Sequence, residues 1–222
     1  MRTRARTWRV PLALVALSAI PLTAGTLRLI ELTGGPAVIP ADHRFDGLPI
    51  ALVVHIVGSA LFALGAIPQF APRLRARHPV WHRRAGRTVG VAGLLVAASA
   101  LWLTLFYEAQ PGTGALLYLL RLIFASALAI CVVLGVAAVR RGDIPQHRAW
   151  VIRAYAIGLG AGTQVLTEGL GDALFGTGVL AGDLAKGAGW AVNLAVAEWA
   201  IRRPARRRRT RSTGPQPAGA LS

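Results

Sequence analysis

Six long apolar runs, separated by loops in which charge is sorted by sign, constrain this chain more than anything else in it. The runs lie at about residues 10–28, 48–70, 88–107, 115–139, 150–170 and 184–201. Each approaches the length a helix needs to cross ~30 Å of hydrocarbon. Backbone inside a bilayer must satisfy its own hydrogen bonds, so runs of this kind predict helices. Only 15% of the residues are charged, and the mean hydropathy is +0.51. A soluble domain carries about 25% charge. The expected fold class is therefore all-α, a six-helix transmembrane bundle over residues 1–201. Residues 202–222 begin RRPARRRRTRS and offer little to a core, so a disordered basic tail is expected there.

The loops set the orientation. Twenty-five basic residues face nine acidic ones, for a net charge of +16. The basic clusters fall before the first run, between the second and third, between the fourth and fifth, and after the sixth. Glu31, Asp42, Asp46, Glu108, Asp172 and Asp183 occupy the alternate loops. The positive-inside rule then predicts two cytoplasmic termini, in a cell membrane. Arginines clustered at the ends of apolar runs read as topology signals and contacts to lipid headgroups, and this excludes nucleic acid as the partner. Membrane lipids are the expected partners, together with a second copy of the chain or another membrane protein. The basic start and first apolar run resemble a secretory signal. Pro21, Thr23 and Arg28 give no small-residue cleavage site, so a retained helix is expected. Cys131 is the only cysteine, which excludes an internal disulfide and a cysteine metal cluster.

Ionisable groups within a membrane are costly and invite a functional reading. His55 lies inside the second run, and His55, Gly58, Phe62, Gly65 and Gln69 share one helical face. Two glycines between a histidine and a glutamine suggest a polar stripe with room for something flat. The competing reading is a histidine bonded to a neighbouring helix, through Glu168 or Tyr107. His82 and His147 form a second feature, for each opens a helix and is followed by arginine: HRRAGR before the third run, HRAWVIR before the fifth. Helix N-termini suit anions. Arg83, Arg87, Arg148 and Arg153 would complete a basic pocket, with Asp143 paired to one of them. Ordinary anchoring in the headgroup layer competes with that reading.

His82 and His147 lie at one depth and could ligate a single haem iron or other metal, whereas His55 is a whole span away from His82. Gly158 and Gly162 form a small-xxx-small pair suited to close helix packing. Arg28, Arg121, Asn193 and Glu198 are scattered polar residues, with Glu168 or Glu108 as the expected partner of Arg121. The chain has no P-loop, HExxH or GxSxG motif, which leaves enzymatic activity open.

In HIVGSALFALGAIPQF, HRRAGR and RRGDIPQHRAWVIRAYA the sequence resembles the bacterial membrane-protein family carrying the domain of unknown function numbered 2306. The resemblance covers about residues 55–167. It implies a multi-pass membrane protein with a shared site drawn from His55, Gln69, His82, Arg83, Gly86, Arg87, Asp143, His147, Arg148, Trp150 and Arg153. One departure is the continuation of the fifth run as IGLGAGTQVLTEG, where relatives often carry another arginine.

The function expected first is a redox or cofactor-binding membrane protein. Haem b or a quinone would sit at His82 and His147, with the four arginines on an anionic group and His55 and Gln69 lining the cavity. The alternative is a small-molecule transporter or lipid-binding protein using the same polar residues. A third reading is an accessory subunit without catalysis.

Overall fold

The computed structural model describes residues 5–40, 42–45 and 49–212, and these are helical without strands. The α-helices are α1 (Ala5–Leu32), α2 (Ile50–Gln69), α3 (Pro72–Arg77), α4 (Pro79–Phe106), α5 (Ala115–Arg140), α6 (Ile144–Gly158), α7 (Gly160–Phe175) and α8 (Val179–Ser212). Four are long and apolar enough to cross a membrane: α1 over Leu12–Leu32, α2, α4 and α5. Their bounds follow the apolar runs. The main extension is at the start of α4, where Pro79 occupies a first-turn position that needs no backbone donor.

The fifth and sixth runs do not form simple spans. The fifth is divided at Leu159 into α6 and α7, of 15 and 16 residues, each short of the ~20 needed alone. The cause is local. Gly158, Gly160 and Gly162 crowd one turn, and glycine is a poor helix former. Asn193 of α8 donates to the Ala156 carbonyl at 3.1 Å, which supplies a partner for an acceptor near the end of α6. The sixth run lies inside the 34-residue α8, whose apolar stretch is interrupted by Lys186, Asn193 and Glu198. The helix continues through Arg202–Ser212, where composition alone suggests disorder. Extending a formed helix avoids the nucleation cost, and arginine is a good helix former. Residues 213–222 of the expected tail lie outside the described residues.

The helices pack in a ring. α1 lies on α2, α2 on α4, α4 on α5, and α5 on α6; α8 covers α5, α6 and α7, and α7 returns to α1. The core between α2, α4, α5 and α6 is built from Phe62, Ala66, Ala92, Val96, Leu128, Val132 and Tyr155. Tyr155 is anchored there by its hydroxyl, which donates to the Ala63 carbonyl at 3.0 Å.

Gly158 and Gly162 both serve packing, on different neighbours. A Cβ on Gly158 would stand 2.5 Å from Cε1 of Phe62, and one on Gly162 would collide with the Leu17 carbonyl oxygen of α1. Charge is segregated at the two ends of the bundle. At the acidic end, Arg44 pairs with Asp42 at 2.5 Å and reaches the Glu108 carbonyl at 3.2 Å. That guanidinium holds the Asp42 carboxyl below the usual range. Asp183 of α8, 1% exposed, accepts from the Gly114 and Leu117 amides at 3.0–3.2 Å and so caps the start of α5.

Two glycines should therefore respond oppositely to alanine. Gly162→Ala is expected to cost about 2 kcal/mol by overpacking against backbone. Gly90→Ala, which meets nothing within 4 Å, should be neutral or stabilising by up to about 1 kcal/mol. Thermal unfolding of the two variants in detergent checks this, and equal midpoints would contradict the packing.

Candidate functional site

At the arginine-rich end the structure gathers Gln69, His82 and His147. Gln69 closes α2 and faces α4, where a Cβ on Gly86 would be 3.8 Å from its Oε1. His82 lies one turn before Gly86 on the same helix. His147 and Arg75 lie within electrostatic reach of His82. Asp143 accepts from the Gln146 amide at 2.9 Å and is the N-cap of α6. This replaces the arginine pair expected for it, because a carboxylate at a helix start satisfies free amides. The His147 Nδ1 lies 2.8 Å from the Gly135 carbonyl. A carbonyl only accepts, so Nδ1 carries the hydrogen and neutral His147 keeps a bare Nε2.

Three atoms in this group stand out. Both amide atoms of Gln69 and Nδ1 of His82 are buried without a hydrogen-bond partner among the described residues. Arg83, Arg87 and Arg148 are exposed around them. Arg153 is not part of the group. It bonds Glu198 of α8 at 2.6 Å and lies 4.9 Å over the Trp150 ring, so it fastens α6 to α8.

His55 stands elsewhere. Fourteen residues of α2 separate it from Gln69, about 21 Å of helix rise. The stripe between them has no room for a flat ligand, because α4 fills it. A Cβ on Gly58 would approach Val96 at 3.2 Å, and one on Gly65 would approach Val89 at 2.9 Å. The partner of His55 is Ser99 of α4, not Glu168 or Tyr107, with Nδ1 and Oγ 3.1 Å apart. Ser99 already donates its hydrogen to the Leu95 carbonyl at 2.7 Å. His55 is therefore the donor, and its Nε2 is left as an acceptor.

His55 belongs to the wall of a large cavity at the acidic end, of about 880 Å³. That size lies within the range of about 300–1,000 Å³ typical of small-ligand sites. Much of its wall is apolar, from Leu22 and Leu29 of α1, Leu61 of α2, Leu103 of α4 and Leu117 and Leu128 of α5. The break at Leu159 opens onto it. Trp190 of α8, stacked on Phe124 with centroids 4.5 Å apart, closes one side. The polar members include Arg121, Gln164 and Lys186. Lys186 pairs with Glu168, and Gln164 donates to the Lys186 carbonyl at 3.2 Å. Arg121, half-buried, makes no ion pair or side-chain hydrogen bond among the described residues, so neither Glu168 nor Glu108 partners it. A lone arginine within LLYLLRLIFASAL is the sequence signal that could have singled it out.

The geometry gives the haem and quinone readings no support. Neither His82 nor His147 lines the cavity, and His55, which does, is a helix length from both. No group of three or more histidine, cysteine or carboxylate side chains is arranged to hold a metal among the described residues.

A family model described as "Predicted membrane protein (DUF2306)" matches residues 52–201. No curated protein and no solved structure matches the chain.

The unpartnered amide of Gln69 yields a prediction. A buried polar group without a bond costs about 1–3 kcal/mol. Gln69→Leu, of similar size, is expected to raise thermal stability by about 1 kcal/mol or more. A fall in the unfolding midpoint would mean that the amide is bonded in the membrane-embedded protein.

Proposed function

On the premise that the chain belongs to the DUF2306 family of predicted membrane proteins, we propose that it binds a small, partly apolar molecule within the bilayer. It would act as a transporter or lipid-binding protein without a redox cofactor. The observation that carries this reading is the 880 Å³ cavity with His55, Arg121 and Lys186 on an otherwise largely apolar wall. A hydrogen-bond acceptor and cations set in apolar surface are the ingredients of a site that orients an amphiphile.

The same reading includes a six-crossing topology, with α6 and α7 together as the fifth crossing and α8 as the sixth. The polar residues of α8 favour it. Asn193 accepts from Thr163 at 2.7 Å, Glu198 takes Arg153, and Lys186 takes Glu168. Each interruption of the apolar run is thus matched by a group on α6 or α7, which is how polar side chains are accommodated between membrane helices. The division at Leu159 fits as well, since broken helices at membrane depth are tolerated where they border a cavity. Both termini would then lie on the arginine-rich, cytoplasmic side.

Two measurements test these statements. With Cys131 replaced by alanine, a cysteine at Ala109 is expected to react with an impermeant thiol reagent in intact cells. One at Gln146 should react only after lysis. The reverse pattern would overturn the orientation. For the cavity, an amphiphile that raises the unfolding midpoint of the wild type should lose at least tenfold in affinity in Ala100→Phe, which fills the wall, and in His55→Ala. Unchanged binding in both would place the ligand elsewhere.

A further inference from the structure

Resting on the cavity reading, we infer that the ligand is a single-chain anionic amphiphile whose carboxylate or phosphate is held by Arg121. The residue lies six positions into α5 from Ala115, about 9 Å along the helix from its acidic end. A guanidinium at that depth is costly unless something neutralises it.

The acids around Arg121 are committed to other groups. Glu168 holds Lys186, and Asp42 holds Arg44. Asp183, though near enough for its charge to act on Arg121, spends both carboxylate oxygens on the backbone amides that open α5. Glu31 pairs with Arg28 at 2.6 Å. Glu108 is exposed on the turn after α4 and makes no ion pair among the described residues. The titratable groups on the cavity wall are Arg44, His55, Tyr107, Glu108, Tyr118, Arg121 and Lys186. Three cations thus face one carboxylate, and Arg121 is the cation whose direct partner no described side chain supplies.

The rest of the wall suits a chain. Phe124 and Leu128 extend from Arg121 along α5, past Trp190 towards the junction of α6 and α7. Val57 and Leu61 of α2 and Leu105 of α4 line the cavity and remain exposed, so its wall is open there. A chain can therefore leave the cavity sideways among lipid tails while its head stays at the arginine. Guanidinium matches carboxylate and phosphate in a two-pronged geometry, so both heads share this chemistry.

Quenching of Trp190 by brominated amphiphiles tests the assignment on the full chain in neutral detergent. The probes are dibromostearate, the corresponding dibromostearyl alcohol, and a dibromostearoyl lysophosphatidate. Subtracting the signal of Trp190→Phe isolates this tryptophan. One of the two anions is expected to bind at least tenfold tighter than the alcohol. Arg121→Gln should remove that preference and leave the affinity for the alcohol unchanged, and Arg121→Lys should restore most of it. Tighter binding of the lysophosphatidate assigns the site to a lipid headgroup; tighter binding of stearate assigns it to a free carboxylate. Equal affinity of acid and alcohol in the wild type, or a preference that survives in Arg121→Gln, overturns the inference while the cavity reading stands. Absence of Trp190 quenching by all three probes overturns both.

Discussion

The ring of Phe62 fills the space that two glycines leave on two other helices, and the bundle depends on that contact. A Cβ on Gly93 of α4 would meet Cε2 of the ring at 2.8 Å, and one on Gly158 of α6 would meet Cε1 at 2.5 Å. One aromatic side chain of α2 therefore sets the distance to both neighbours. Tyr155 stands beside it, with ring centroids 6.0 Å apart, and returns its hydroxyl to the backbone of α2. Association in lipid relies on close packing and bonds between helices, because apolar side chains gain nothing by leaving hydrocarbon for hydrocarbon. Large-into-small contacts of this kind supply that closeness.

The same requirement explains why the cavity lies where it does. α2, α4, α5 and α6 interdigitate around Phe62, but at Leu159 the chain interrupts its helix. From there the wall is completed by α1, α7 and α8. Their contacts are made through backbone and polar groups: Gly162 against the Leu17 carbonyl, Asn193 with Thr163 and Ala156, Lys186 with Glu168. Polar pairs fix helices at points rather than along continuous apolar faces. Space between those points stays open, and His55 and Arg121 border it.

The architecture was legible in the sequence where one physical signal dominates. Long, strongly apolar runs give α2 and α5 nearly residue for residue, since a bilayer leaves the backbone little alternative to a helix. That His82 and His147 fall at the same arginine-rich end was legible too, because each follows a basic loop. The interruption at Leu159 was less so. Glycines there read equally as packing and as breakage, and the choice depends on Asn193, 34 residues away on another helix. Site residues divided on the same ground. His82, His147 and Gln69 come together, whereas Arg153 was claimed by Glu198, a partner spacing cannot reveal. His55 shares a helical face with Gln69, but a shared face does not bring together groups separated by four turns. Arg121 carried the plainest energetic signal, a charge inside an apolar run. Its importance emerges only once the nearby acids are found bonded elsewhere.

α1 has an unusual standing in this arrangement. It lies outside residues 52–201, which the family model covers, yet Leu17, Pro21, Leu22, Gly25 and Leu29 form one wall of the cavity. The frame that holds His55 and Arg121 thus belongs to the family pattern, while the panel closing it comes from a segment the pattern does not include. Leu17 also packs against the core around Phe62, so this panel is tied to the frame as well as closing it. A substitution at Leu22 or Leu29 of α1 would therefore reshape the cavity while leaving His55 and Arg121 in place.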